Sequence, residues 1–167
     1  YRGGSSYSYL LPLMPVAMRH MRIAPVDAVL VSHHAFANQV VWATEAPVVS
    51  YVHTPARWMW QSDMRLGEPG GALGRYALTA FSSLERPRDR RAAQRVRLLL
   101  ANSSAVAERI RAWWGRESQV VHPPVDVDYY RPSPGTAREE FFLIAGRLVP
   151  YKRPELAVAA ANRAGVP

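Results

Sequence analysis

Pro47-Val48-Val49-Ser50-Tyr51-Val52-His53-Thr54-Pro55 is a β-branched and aromatic run that stops at a proline. Such residues suit a pleated, buried backbone. Pro55 cannot continue a strand ladder, and it biases Thr54 toward an extended conformation. The run therefore predicts a buried strand over 47–52 with His53 at its carboxyl end. The same grammar repeats outward. Before it, Asp27–Ser32 reads as a buried strand and Ala35–Ala43 as a helix, while Leu10–Met21 has helical content segmented by prolines. After it, Arg57–Met64 reads as a helix, Glu68–Gly71 as a loop, and about 72–96 as a long basic helix broken or kinked at Pro87. Arg97–Ala101 is a third strand. Asn102-Ser103-Ser104 caps a helix that ends at Gly115, and Gln119–His122 is a fourth strand. Alternating strands and helices imply an α/β fold built on a parallel sheet.

Pro123–Pro134 is proline-rich and aperiodic, as an inter-domain linker would be. Beyond it, Glu140–Ala145 (Glu-Phe-Phe-Leu-Ile-Ala) reads as a fifth strand and Pro154–Ala164 as a helix. One strand and one helix cannot bury a core alone, because a βαβ unit needs its second strand. The expected division is 1–124 as one Rossmann-like domain, 125–138 as hinge, and 139–167 as the opening of a second, incomplete Rossmann-like domain.

Bulk composition narrows the partners. With 167 residues, 49% of them hydrophobic, the chain can bury one ordinary core. Its formal charge of +8 favours anionic partners without choosing among them. There is no Cys, which excludes disulfides and thiolate metal sites. The apolar stretch Tyr7–Met18 is interrupted by Pro12 and Pro15 and is too short to span a bilayer. Of the 21 basic residues, Lys152 alone is a lysine. Either a coding bias favours arginine at interchangeable sites, or this position wants a compact ammonium in place of a planar guanidinium.

Lys152 belongs to a turn, Gly146-Arg147-Leu148-Val149-Pro150-Tyr151-Lys152, between the fifth predicted strand and its helix. Open α/β sheets bind ligands at the carboxyl ends of their strands, beside helix N-termini. A guanidinium fork from Arg147 and a point charge from Lys152 would neutralise a diphosphate there. The same residues also fit an ordinary basic loop.

This turn resembles the phosphate-binding turn that opens the C-terminal domain of glycosyltransferase family 4, the GT-B retaining transferases. The likeness continues, in family order, through Tyr9-Leu10-Leu11-Pro12-Leu13-Met14-Pro15, Tyr51-Val52-His53-Thr54-Pro55, Ala101-Asn102-Ser103-Ser104 and Val121-His122-Pro123-Pro124-Val125-Asp126. It points toward mannosyltransferase-like members that build bacterial surface polysaccharides. The resemblance implies a GT-B fold, a nucleotide-sugar donor as substrate, a glycan or lipid-linked acceptor, no cofactor and no metal. It places Gly146, Arg147 and Lys152 on the donor's phosphates and His53 in the cleft, touching the transferred sugar or the acceptor hydroxyl. By position alone, His53 reads rather as a core histidine. Asn102 and Ser103 read first as a helix cap, with substrate contact as the second reading. The resemblance puts the family's glycine-rich loop upstream of Tyr1 and its Glu-x7-Glu motif beyond Pro167. The chain alone is accordingly expected to be inactive. A cytoplasmic location is expected, with peripheral contact at the inner face of the membrane.

Two patterns are decoys. Asp126-Val127-Asp128 imitates a metal–nucleotide motif but sits in the hinge, and Gly3-Gly4 follows no strand. The adjacent His33-His34 do not make a zinc pattern. Arg86, Arg88, Arg90, Arg91, Arg95 and Arg97 remain open between a solvated helix face, partly paired with Glu85 and Asp89, and a surface for an anionic membrane. A non-enzymatic basic module acting through Arg86–Arg97 on anionic membrane or nucleic acid is the alternative function. No nucleic-acid partner is expected, because Trp58, Trp60, Trp113 and Trp114 read as core or helix-face residues rather than base-stacking ones.

Overall fold

The computed structural model describes residues 7–61, 71–132, 135, 137, 140–146, 148 and 152–166. Four parallel strands, β1 (Val29–His33), β2 (Val48–Val52), β3 (Leu98–Ala101) and β4 (Gln119–Val120), form one sheet in chain order. The helices are α1 (Met14–Arg19), α2 (Arg57–Trp60), α3 (Gly71–Arg95), α4 (Ser104–Arg109) and α5 (Pro154–Ala164). The 3-10 turns Tyr7–Leu13 and Ala37–Trp42 and a π-turn, Ile110–Trp114, complete the elements. This is the expected parallel α/β sheet of Rossmann-like kind.

Parallel neighbours taken in chain order, each joined by a right-handed crossover, put every connection on one face of the sheet. That face is buried: Val31, Val48, Val52, Leu99 and Ala101 pack with Ala92, Ala93 and Val96 of α3 and with Val106, Ile110 and Trp114. The opposite face alternates outward, so Leu30 and Ser32 of β1 are exposed and Val49 and Tyr51 of β2 are half-buried. A second apolar cluster, Phe36, Ala56 and Met59, packs with Leu11, Met18, Trp58 and Phe81 beside the main core.

Several boundaries differ from expectation. The helix predicted over 35–43 is a 3-10 turn beginning at Ala37, after Ala35 takes a left-handed φ of 52°. The long basic helix is not broken at Pro87: α3 runs from Gly71 to Arg95 as one element. The lost Pro87 N–H is outweighed by anchors on either side. Arg86 Nε donates to the Met59 carbonyl at 2.7 Å and Arg90 Nε to that of Trp113 at 2.9 Å. Of the helix predicted over 57–64, Arg57–Trp60 is formed, while 62–64 and the loop glycines before Gly71 lie outside the described residues. β4 stops at Val120, two residues early, although Val121 N–H still bonds the Ala101 carbonyl at 2.9 Å.

The predicted fifth strand does not form: residues 140–145 have no strand assignment. Phe142 and Leu143 are 74% and 78% exposed. A strand exists only through a ladder with a neighbour, and these residues have no such ladder among the described residues. They instead face Ala157, Ala160, Ala161 and Ala164 of α5 across an apolar cleft of about 310 Å³. α5 itself forms as expected, with Gly165 as its left-handed stop.

Candidate functional site

All four strands run the same way, so their carboxyl ends share one edge. His53 lies there, one residue past β2, with its N–H directed at the His33 carbonyl, 3.4 Å away. The imidazole is exposed on the open face of the sheet, so the core-histidine reading of this residue does not hold. Its Nε2 is 2.9 Å from the hydroxyl of Ser32, which comes from the end of the neighbouring strand. The register explains the meeting. Ser32 pairs with Tyr51, and His53 follows Tyr51 by two residues on the same face. Tyr51 braces the ring edge-on at 5.4 Å and donates its own hydroxyl to the Val121 carbonyl at 3.0 Å. With Nε2 engaged, Nδ1 has no partner among the described residues. One ring nitrogen is held and the other has no described partner on an exposed ring, an arrangement suited to meeting a substrate hydroxyl.

Asn102 and Ser103 stand beside it. Asn102 N–H donates to the Val52 carbonyl at 3.2 Å, which continues the ladder at the same edge. Ser103 is the N-cap of α4: its hydroxyl accepts from Val106 N–H at 3.4 Å and donates to Asn102 Oδ1 at 3.0 Å. The capping role is therefore filled by Ser103. It also orients the Asn102 amide, whose NH₂ keeps no partner among the described residues. Ala35, in the turn after β1, adds a left-handed non-glycine residue at this edge, a conformation that costs roughly 1–2 kcal/mol and collects at functional sites.

In the basic turn, Lys152 and Gly146 are brought together. A Cβ placed on Gly146 would lie 3.5 Å from Lys152 Nζ. The ammonium is exposed and makes no hydrogen bond or ion pair among the described residues. Arg147, the third member, lies outside the described residues, as do Val149, Pro150 and Tyr151. Arg153, next to Lys152, takes a left-handed φ of 51° and pairs with Glu155 at 3.2 Å. No described hydrogen bond joins Lys152 to His53, Asn102 or Ser103.

Beneath the edge is a buried polar layer. His33 is fully buried and neither ring nitrogen has a partner among the described residues. Burial, seconded by the nearby His34, pushes its pKa down to about 3. Its ring stands edge-on to Trp114 at 5.3 Å. Trp114 Nε1 donates to Asp89 Oδ2 at 2.7 Å, and Trp60 Nε1 donates to the same oxygen at 3.0 Å. Burial raises the Asp89 carboxyl to about 6 against the pull of the two indole donors. Asp89 thus serves the indoles, and no arginine pairs with it among the described residues, contrary to expectation. Glu85 does pair, accepting from Arg88, Arg19 and Gln39 at 2.6, 3.1 and 3.1 Å.

Ser32 escaped the sequence reading. Its signal was a lone hydroxyl closing an apolar run, a weak one until the register is known. Among the described residues no group of His, Asp and Glu is placed to hold a metal ion. Asp126 of the D-x-D pattern accepts from Tyr129 N–H at 2.9 Å, a turn contact. No helix among the described residues is long and apolar enough to cross a membrane.

Residues 1–129 match the family described as Glycosyltransferase Family 4. No curated protein and no solved structure matches the chain.

Proposed function

Because the chain belongs to glycosyltransferase family 4, we propose that it transfers a sugar from a nucleotide-sugar donor to a glycan or lipid-linked acceptor. His53 would stand in the reacting cleft and the Gly146–Lys152 turn on the donor's diphosphate. One observation carries the reading: within the matched residues, an exposed imidazole sits at the carboxyl edge of a parallel sheet, fixed by Ser32 and braced by Tyr51. Ligands of open α/β sheets collect at that edge.

The chemistry follows from charge. As the bond from the anomeric carbon to the phosphate oxygen breaks, its electron pair stays on the diphosphate. The Lys152 ammonium and the Arg147 guanidinium would stabilise that growing charge, and preorganised cations do so without reorganisation at the moment of reaction. The acceptor hydroxyl forms the new bond to the anomeric carbon and passes its proton to the departing diphosphate oxygen, which keeps the electron pair of the broken bond. His53 Nδ1 is the group offered to orient that hydroxyl. Retention at the anomeric carbon, independence from metal and a mannose donor belong to the same proposal and rest on the family resemblance. So do a cytoplasmic location and a division into an acceptor-side domain (1–124), a hinge (125–138) and the start of a donor-side domain (139–167).

The test is transfer of labelled sugar by the protein carrying this sequence. Lys152→Ala is expected to lower turnover by roughly 10²–10³-fold, the effect of removing one preorganised charge-stabilising donor. Unchanged turnover and donor affinity would remove the turn from the site. The wholly non-enzymatic reading of the Arg86–Arg97 cluster is disfavoured, since residues 1–129 match a glycosyltransferase family.

A further inference from the structure

Ser83, Arg86, Pro87, Arg90 and Arg91 recur along α3 at i, i+3, i+4, i+7 and i+8, which is one stripe of a helix. Together with Trp60 they line a pocket of about 500 Å³ on the outer side of the helix. Among the described residues its chemistry is one-signed: three guanidinium groups and an indole, with no Asp or Glu in the described lining. The arginines are held in place. Arg86 and Arg90 each spend Nε on a backbone carbonyl, of Met59 at 2.7 Å and of Trp113 at 2.9 Å. Both guanidinium carbons stand 5.6–5.7 Å from the centroid of the Trp60 ring. Trp60 is itself fixed, stacked on Trp113 at 6.0 Å and bonded through Nε1 to Asp89.

These anchors use one donor of each guanidinium. Among the described residues, the terminal Nη groups of Arg86 and Arg90 have no partner, and the Arg91 guanidinium has none on any of its nitrogens. The Ser83 hydroxyl proton is committed to the Thr79 carbonyl at 3.0 Å, so the available donors are those of the arginines. Surface arginines are usually paired with carboxylates; of the two acids flanking these arginines, Glu85 is buried under Arg19 and Arg88, and Asp89 is buried with its described hydrogen bonds going to the indoles of Trp60 and Trp114. Gathering like charges around one fixed indole is costly unless a counter-ion joins them, and forked guanidinium donors match phosphate oxygens.

We propose that the Arg86–Arg90–Arg91 pocket is a binding site for a phosphate or diphosphate group, separate from the carboxyl-edge site. The inference stands whether or not the transferase reading holds, because it rests on α3 and Trp60 alone. A soluble phosphate ester and a lipid headgroup offer the same chemistry, and the experiment separates them.

Pyrophosphate is titrated into the protein while Trp fluorescence is followed, since Trp60 is in the pocket wall. In parallel, the protein is sedimented with phosphatidylcholine vesicles with and without phosphatidic acid. Arg91→Gln leaves every described hydrogen bond intact and is expected to weaken binding about tenfold or more. Arg75→Gln makes the same charge change roughly 24 Å away along the helix axis, well past the screening length in physiological salt, and is expected to change binding less than about twofold. Saturable pyrophosphate binding with that pattern supports the site and assigns it a soluble ligand. Vesicle binding alone with that pattern supports it and assigns a headgroup. No saturable binding in either arm, or equal effects of the two substitutions, overturns the proposal.

Discussion

Asp89→Asn isolates one buried charge. The carboxyl is fully buried, receives two indole N–H groups on Oδ2, and leaves Oδ1 without a partner among the described residues. An amide keeps the shared acceptor and cannot ionise. Burial raises the folded pKa from 3.8 to about 6, so between those values the native state holds a proton that the unfolded chain has released. Stability contributed by this group is therefore present below about pH 4 and is lost as pH rises through 6. The full swing is about 3 kcal/mol, at 1.36 kcal/mol per pKa unit. Of it, about 1.4 kcal/mol is recovered between pH 8 and pH 5. His33 has the opposite sign: its pKa is lowered to about 3, and its contribution falls as pH drops below 6.5. That slope is common to both proteins and cancels in their difference. The assay is urea unfolding of wild type and variant at pH 8 and pH 5, followed by Trp fluorescence. On going to pH 5 the wild type should gain about 1.4 kcal/mol relative to Asp89→Asn. Parallel pH curves, within about 0.3 kcal/mol, would show that Asp89 does not titrate as a desolvated carboxyl.

Three further outcomes follow from particular contacts. His33→Leu should flatten the remaining acid sensitivity, removing about 2 kcal/mol of stability loss between pH 8 and pH 5; an unchanged slope in urea unfolding would mean that His33 is not buried neutral. Arg116 Nη1 and Nη2 reach the carbonyls of Ala93, Gln94 and Val96 at 2.7–3.2 Å and close the end of α3; Arg116→Gln should cost about 1–3 kcal/mol in the same unfolding assay, and a neutral result would make that cap dispensable. Ser32→Ala should lower kcat about tenfold with little change in KM, while Ser32→Thr, which keeps the hydroxyl, should restore most of it; equal loss in both would mean that packing, not the bond to His53, is what matters.

The sheet was legible in the sequence because its three longer strands are short apolar runs with one face buried. Val29–Val31, Val48–Val52 and Leu98–Ala101 are closed by His, Pro or Asn-Ser, and their alternate residues Val31, Val48, Val52, Leu99 and Ala101 are the buried ones. Phe141–Ile144 carries the same pattern without a neighbouring strand among the described residues, so the local signal misled. At Pro87 the break, one of the two expected outcomes, does not occur, and the anchors of Arg86 and Arg90 that accompany the unbroken helix come from segments far away in sequence. His53 could be placed at a strand end from its Thr-Pro successor, and Ser103 could be named as a cap. Ser32 needed the register of β1 against β2, which no local pattern contains. The fate of Asp89 needed the meeting of Trp60 and Trp114, from two different turns, over one carboxylate.

The central claim concerns His53 at the carboxyl edge, and the measurement that meets it most directly is single-turnover sugar transfer by the whole protein that carries this sequence and by its His53→Ala variant, over a panel of labelled nucleotide sugars. The account predicts transfer from one donor by the wild type and a loss of roughly 10²–10⁴-fold in the variant, the range for a group acting on the reacting hydroxyl, with the unfolding midpoint unchanged because the ring is exposed. Transfer at the wild-type rate by His53→Ala would contradict it.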